Sequence, residues 1–277
     1  MSIIARNQIK LKKLFQIRSG SSVNADHVLA IKIGDRHYCF AITDISGVTI
    51  LQLAYYSCEE INENSLINLF VNHPELNNSF NKVIVCYDFP QTVVIPQIHF
   101  DSEDSFNTLK TIYGFNDRPV VTTQSIPNKE SYIIYSVPKE ISEWLNKKFP
   151  SANYFHHFSA LIQKIVHGEN LWIDFRTDEF SLIAAKENKL LLAQTFSYSN
   201  PDDVIYYLLK TVQQFSLSPK EVKLFLSGLI EKESALFKEL YQYFLNLEFR
   251  DADWQIDNTE YPAHFFTSLN DLIQCAS

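Results

Sequence analysis

The sequence predicts an α/β fold built by internal duplication, and three observations carry that expectation. Residues 28–56 and 170–198 superpose without a gap at an offset of 142. In both segments an apolar strand, a polar turn, a second strand, another polar turn and a third apolar run follow in the same order, the alternation that marks hairpins. After each segment comes a helix and then a short apolar strand, so each half opens with a three-stranded β-meander and continues as α/β.

The match lies in pattern more than identity, although Ile31/Ile173, Gln52/Gln194 and Tyr56/Tyr198 coincide. The turns are Gly34-Asp35-Arg36 and Arg176-Thr177-Asp178, then 44–47 and 186–189. In the second half, Asn200 caps a helix, Pro201 suits its first turn, and Asp202 and Asp203 complement the positive helix end. Ile205, Leu208, Leu209, Val212 and Phe215 keep helical spacing. A strand at 221–227 ends at Gly228, a helix presents Leu236, Leu240 and Phe244, and a strand at 245–249 and a helix at 262–274 finish the chain.

In the first half the meander leads to a helix at 59–72 and a strand at 82–87. Extra material follows at about 89–130: an extended run at 92–96, a helix at 102–113 and a strand at 120–123. Then come a strand at 132–137, a helix at 139–149, a strand at 151–155 and a helix at 156–167 that Gly168 is placed to end. The halves are therefore 1–168 and 169–277.

Composition narrows the function classes. The 277 residues are 46% apolar and 20% charged, enough for a packed core. Six Gly are too few for Gly-rich phosphate loops. A net charge of −8, without a basic stripe interleaved with aromatics, disfavours nucleic acid. The basic run Arg6, Lys10, Lys12, Lys13 and Arg18 reads as a solvated strand edge, with an anionic docking tail as its alternative. Cys39, Cys58, Cys86 and Cys275 lack C-x-x-C spacing, as in a reducing compartment. No stretch approaches about 18 uninterrupted apolar residues, and the N-terminus lacks the roughly 7–15-residue apolar core of a secretory signal. The expectation is a cytoplasmic protein without an integral membrane segment.

Val93-Val94-Ile95-Pro96, Tyr135-Ser136-Val137-Pro138 and the run from Lys189 to Tyr198 with its Pro201-Asp202-Asp203 helix start, continuing to Leu226-Ser227-Gly228, carry a resemblance. The chain resembles a Bacteroidota family of unknown function with the actin-like ATPase fold, and more distantly the pilus-assembly and cell-division actin-like proteins. The resemblance covers most of the chain beyond residue 28. It implies two ribonuclease-H-like domains but no established activity.

Actin-like ATPases place an Asp-x-Gly turn after the first strand of each half, the Asp organising Mg²⁺ and the Gly admitting phosphate oxygens. Here the first turn is Lys32-Ile33-Gly34 and the second Asp174-Phe175-Arg176, so each copy keeps one element. The adenosine loop, usually with paired glycines, offers only Gly228. On one reading these turns merely close hairpins; on the other, Lys32, Gly34, Asp174, Arg176 and Gly228 form a cationic cleft for an anion, ATP with magnesium included. Arg176 tied to an acid in a filled cleft would favour the first reading, and an open shared cleft the second.

Other chemistry has little support. His156-His157 cannot comfortably share a metal and reads as a helix-start or packing pair. Asp101, Glu103 and Asp104 suit a helix N-terminus. Ser227-Gly228 lacks the earlier Gly of a nucleophile elbow, because position 225 is Phe, and no P-loop, dinucleotide or zincin motif occurs. The sequence therefore predicts no catalytic residues, no metal site and no cofactor. The expected role is a non-catalytic scaffold with an unidentified protein partner; the alternative is a nucleotide- or anion-binding protein with weak or no ATPase activity.

Overall fold

The computed structural model describes residues 11–20, 22–115, 118–255 and 260–276. Strand β1 (Lys12–Arg18) precedes the first meander, β2 (Val28–Gly34), β3 (His37–Thr43) and β4 (Ile50–Ser57), then helix α1 (Glu63–Asn72) and β5 (Lys82–Asp88). The inserted region holds β6 (Thr92–Pro96), α2 (Ser105–Tyr113) and β7 (Val120–Ile126); β8 (Ser131–Val137) completes its sheet. Helix α3 (Lys139–Lys148), β9 (Asn153–His156) and α4 (His157–Gln163) close the first half. The second meander is β10 (Glu169–Phe175), β11 (Glu179–Lys186) and β12 (Lys189–Ser197), followed by α5 (Pro201–Gln214), β13 (Lys223–Gly228), α6 (Ala235–Tyr243), β14 (Asn246–Phe249) and α7 (Thr267–Ala276).

The duplication is visible in the pairing. One sheet runs β1-β4-β3-β2-β5-β9 and the other β12-β11-β10-β13-β14, so the second repeats the first without β1. In each, the meander is antiparallel and its first strand pairs in parallel with the strand after the helix. Even the irregularity recurs. The β3–β4 register shifts between Ile42 and Thr43 and the β11–β12 register between Ala184 and Ala185, the same place at an offset of 142. A bulge at one repeat position bends both meanders alike.

Helix starts follow the local chemistry. Asn62 and Asn200 form capping boxes with Ser65 and Asp203, and Pro201 occupies the first turn of α5. Helix α1 begins at Glu63, four residues later than the sequence pattern implies, because its capping box fixes the start. Helix α4 stops at Gln163, before the expected 167, as Lys164 and Ile165 bond back only three residues and Gly168 takes φ 99° into β10.

Among the described residues three apolar clusters build the core. One joins β2–β4, α1, α3 and the inserted sheet to Trp172, Ile183 and Ala185 of the second sheet, so it spans both halves. Another packs α7 through Leu269, Leu272 and Ile273 against the other face of the first sheet. The third lies between β10–β13 and α5–α6. The final helix thus returns to the first half, held by Arg250 and Lys164 on the buried Asp271. The two sheets consequently meet with the carboxyl ends of β2, β5, β10 and β13 facing one another through their polar side chains.

A candidate functional site filled by ion pairs

Parallel pairing sets Gly34 beside Asp88 on β2 and β5, and Asp174 beside Ser227 on β10 and β13. The crevice outside such strand ends is where open α/β sheets bind ligands. Here it is occupied by the protein's own charges. The Arg176 guanidinium clamps Asp88 bidentately, with Nε 2.7 Å from Oδ2 and Nη2 on Oδ1. Nη2 also donates to Ser181 Oγ at 2.7 Å. Lys32 Nζ donates to Asp174 Oδ2 at 3.0 Å and to Ser268 Oγ at 3.2 Å, and forms an ion pair with Asp88 Oδ2 at 3.0 Å. Ser227 Oγ donates to Asp174 Oδ1 at 3.0 Å.

Lys32, Asp88, Asp174 and Arg176 are each 2% exposed. Unpaired charges at such depth cost several kcal/mol, so two cations and two carboxylates must neutralise one another. Their titration agrees. Burial opposes the charge of Lys32, yet Asp174 and Asp88 raise its pKa. Burial likewise opposes that of Arg176, which Asp88 outweighs. Burial opposes ionised Asp174, but the Lys32 and Arg176 charges bring its pKa down to about 2. Asp88 is held well below the carboxylate range, against burial, by the Arg176 and Lys32 charges.

Two histidines complete the cluster. His37 Nε2 is 3.2 Å from Asp88 Oδ2 and His157 Nε2 is 3.6 Å from Asp174 Oδ2. Burial lowers both pKa values, His157 to about 3, so at neutral pH the rings add no charge. Together the four ionised groups balance, and an incoming phosphate would meet no surplus of positive charge.

The glycines serve the same closure. A Cβ on Gly34 would stand 2.3 Å from the His37 ring and 2.7 Å from the Asp88 carbonyl. Gly228, at φ 78°, lies against the Phe175 backbone, where a Cβ would be 2.1 Å from the carbonyl oxygen, and Leu229 N donates to that oxygen at 2.8 Å. Protein atoms take the room that glycine leaves at both turns. All five residues singled out from the sequence therefore lie at this crevice, with Lys32, Asp174 and Arg176 in one ionic network and Gly34 and Gly228 packed beside it.

At the rim Arg36 pairs with Asp178, both partly solvated. Asp35 and Glu179 lie nearby; burial raises their pKa values to about 6 and about 7, Arg36 opposing this at Asp35 and Arg176 at Glu179. Beyond Asp35 opens a groove of about 740 Å³ between α3 and the inserted region, lined by both signs of charge.

Sequence reasoning missed Asp88, His37 and His157. Asp88 had a signal, an acid ending the apolar strand KVIVCY at the carboxyl edge that Gly34 shares. His156 plays the expected cap: its Nδ1 accepts from Phe158 N at 3.2 Å, while Nε2 meets Thr92 Oγ1 at 2.9 Å. Ser227 Oγ bonds the Asp174 carboxylate and the Ile173 carbonyl, and among the described residues no group of three His, Cys, Asp or Glu could hold a metal.

A family described as "Protein of unknown function (DUF3822)" matches residues 22–247. The chain belongs to that family. A Bacteroides thetaiotaomicron protein with actin-like ATPase fold and unknown function superposes with a TM-score of 0.74 at 18% identity, over 91% of this chain and 97% of that one. The PilM-PilN type IV pilus biogenesis complex gives 0.55 at 11% identity, over 91% and 98%. The ethanolamine utilization protein EutJ from Carboxydothermus hydrogenoformans gives 0.51 at 5%, over 93% and 92%. Among curated proteins none matches. The DUF3822 chain thus has the actin-like ATPase fold, and its paired ribonuclease-H-like sheets are the two halves of that fold. Among its described residues no helix is long and apolar enough to cross a membrane.

Proposed function

We propose that this DUF3822 protein is a non-catalytic actin-like scaffold that binds a protein partner in the cytoplasm, and that it works without nucleotide or metal. The observation that carries the proposal is the bidentate Arg176–Asp88 pair, buried at the turn where an ATPase needs an open phosphate path. Opening that path would strand charged groups at a cost of about 3–5 kcal/mol. Four free cysteines support a reducing compartment. The fold is shared with a protein, PilM, that is seen in complex with PilN, and that likeness supports partner binding by analogy of fold.

The competing reading, an anion or nucleotide held by Lys32, Gly34, Asp174, Arg176 and Gly228, needs the network to open first. The scaffold proposal is tested by affinity purification from a native source, followed by affinity measurement with the purified candidate. A partner recovered reproducibly and binding the isolated chain in the nanomolar-to-micromolar range is expected. A monodisperse chain that retains no such partner would count against the proposal.

A further inference from the structure

The groove of about 740 Å³ beyond Asp35 has the size of a small-molecule site, and it holds polar groups that the fold leaves unpaired. Ser136 is the clearest of them. Ile133, Tyr135 and Val137 of the same strand belong to the core, so the alternation of β8 turns Ser136 the other way, where it lines the groove. Ser136 is 3% exposed. Its backbone N–H bonds Gln91 O at 3.0 Å, yet among the described residues its hydroxyl meets no partner. A buried hydroxyl in that state is costly unless a ligand supplies the missing bond.

The charges of the groove define that ligand. Helix α3 follows Pro138 without a side-chain cap, and its first turn, Pro138, Lys139 and Glu140, lines the groove. Uncapped N–H groups and the helix dipole favour a carboxylate at such a turn. Arg118, set over the Phe106 ring at 5.2 Å, lines the same groove and makes no ion pair among the described residues. Two acids are left without a cation in the same sense: Asp35 on the β2–β3 turn, half-buried, and Glu140 on α3. Lys139 and Glu143 answer one another at 3.7 Å. What remains is one cation, Arg118, against two carboxylates, Asp35 and Glu140.

We propose that this groove binds a small zwitterion with one carboxylate and two cationic groups, the chemistry of a basic amino acid. Ser136, the first turn of α3 and Arg118 receive the carboxylate, and Asp35 and Glu140 receive the cations. Ligand and groove together are then neutral, which partly buried charges require. The proposal goes beyond the scaffold reading and gives the scaffold a small-molecule input.

The test is isothermal titration calorimetry of L-arginine and L-lysine into the full chain. Saturable binding of at least one is expected, weakened at least tenfold by Ser136→Ala, by Arg118→Ala and by Asp35→Asn. Agmatine, which lacks the carboxylate, and glutamate, which reverses the net charge, should bind at least tenfold more weakly than the better basic amino acid. Circular dichroism identifies any variant that fails to fold, and Arg118, already exposed, carries the test if the other two do not fold. No saturable heat at millimolar ligand, affinity indifferent to Arg118→Ala, or agmatine or glutamate binding as tightly would overturn the inference while leaving the scaffold reading intact. A chain that binds arginine in this way but retains no protein partner would instead sink the scaffold reading alone.

Discussion

Lys32 and Asp174 occupy the same position in the two repeats, 142 residues apart, and they bond to each other at 3.0 Å. Arg36 and Asp178, also 142 apart, pair in the same way at the rim. Residues that meet their own repeat counterparts lie beside the axis relating the two halves. That axis runs through the crevice. Complementary charges at equivalent positions therefore fasten one half to the other, where two retained aspartates would repel unless a metal sat between them.

Coupling between Lys32 and Asp174 should be measurable. Lys32→Met and Asp174→Asn are each expected to destabilise the chain, the first more because it strands two carboxylates. The double variant should lose less than the sum, by at least about 1 kcal/mol, in urea denaturation. Additive losses would show that the two residues do not interact.

Arg176 is the larger anchor. Arg176→Ala leaves Asp88 without its bidentate partner and should cost about 3–5 kcal/mol. Arg176→Lys should recover only part of this, because a point charge cannot reproduce the fork that holds both Asp88 oxygens and Ser181. Equal stability of the Lys variant and the parent chain would contradict the geometry.

Replacing the glycines tests whether the crevice is full. Gly34→Ala should cost about 1–3 kcal/mol by overpacking, since the His37 ring must yield. Gly228→Ala should cost more, because its neighbour is Phe175 backbone and its φ is 78°. A thermal melt in which Gly228→Ala matches the parent would mean that the turn has room to spare.

Dependence on pH has two arms. Glu179 keeps its proton up to about pH 7 in the fold, against an ordinary 4.5, so the folded chain binds the extra proton within that window. Its contribution is complete below 4.5 and is lost as pH rises to about 7; Asp35, raised from 3.8 to about 6, acts in the same direction. The histidines oppose this. His157, lowered from 6.5 to about 3, and His156, lowered to about 4, are protonated first in the unfolded chain, so stability falls as pH drops below 6.5. Asp174 adds a loss between 3.8 and about 2. In urea titrations Glu179→Gln is expected to gain stability relative to the parent chain as pH rises from 4.5 to 7, and a difference between the two that stays constant over that range would contradict the burial of Glu179.

The repeat was legible because strand pairing writes itself into local alternation: the meanders of 28–56 and 170–198 read as strands and turns from their own residues. The turns Lys32-Ile33-Gly34 and Asp174-Phe175-Arg176 were also visible as broken motifs. What joins them was not. Asp88 is 88 residues from Arg176, and no local pattern shows which acid a distant arginine will clamp. His157 looked like half of a helix-start pair, and only the approach of β10 brings its ring to Asp174. The return of α7 onto the first-half sheet is likewise a tertiary choice, since its apolar face at Leu269, Leu272 and Ile273 would suit either half.

The claim that internal ion pairs have replaced the nucleotide is tested most directly by isothermal titration calorimetry of ATP with magnesium into the full chain, with ADP alongside. No saturable heat at millimolar ligand is the predicted result. A saturable isotherm that Lys32→Met or Arg176→Ala shifts would contradict it, because the crevice would then open for phosphate.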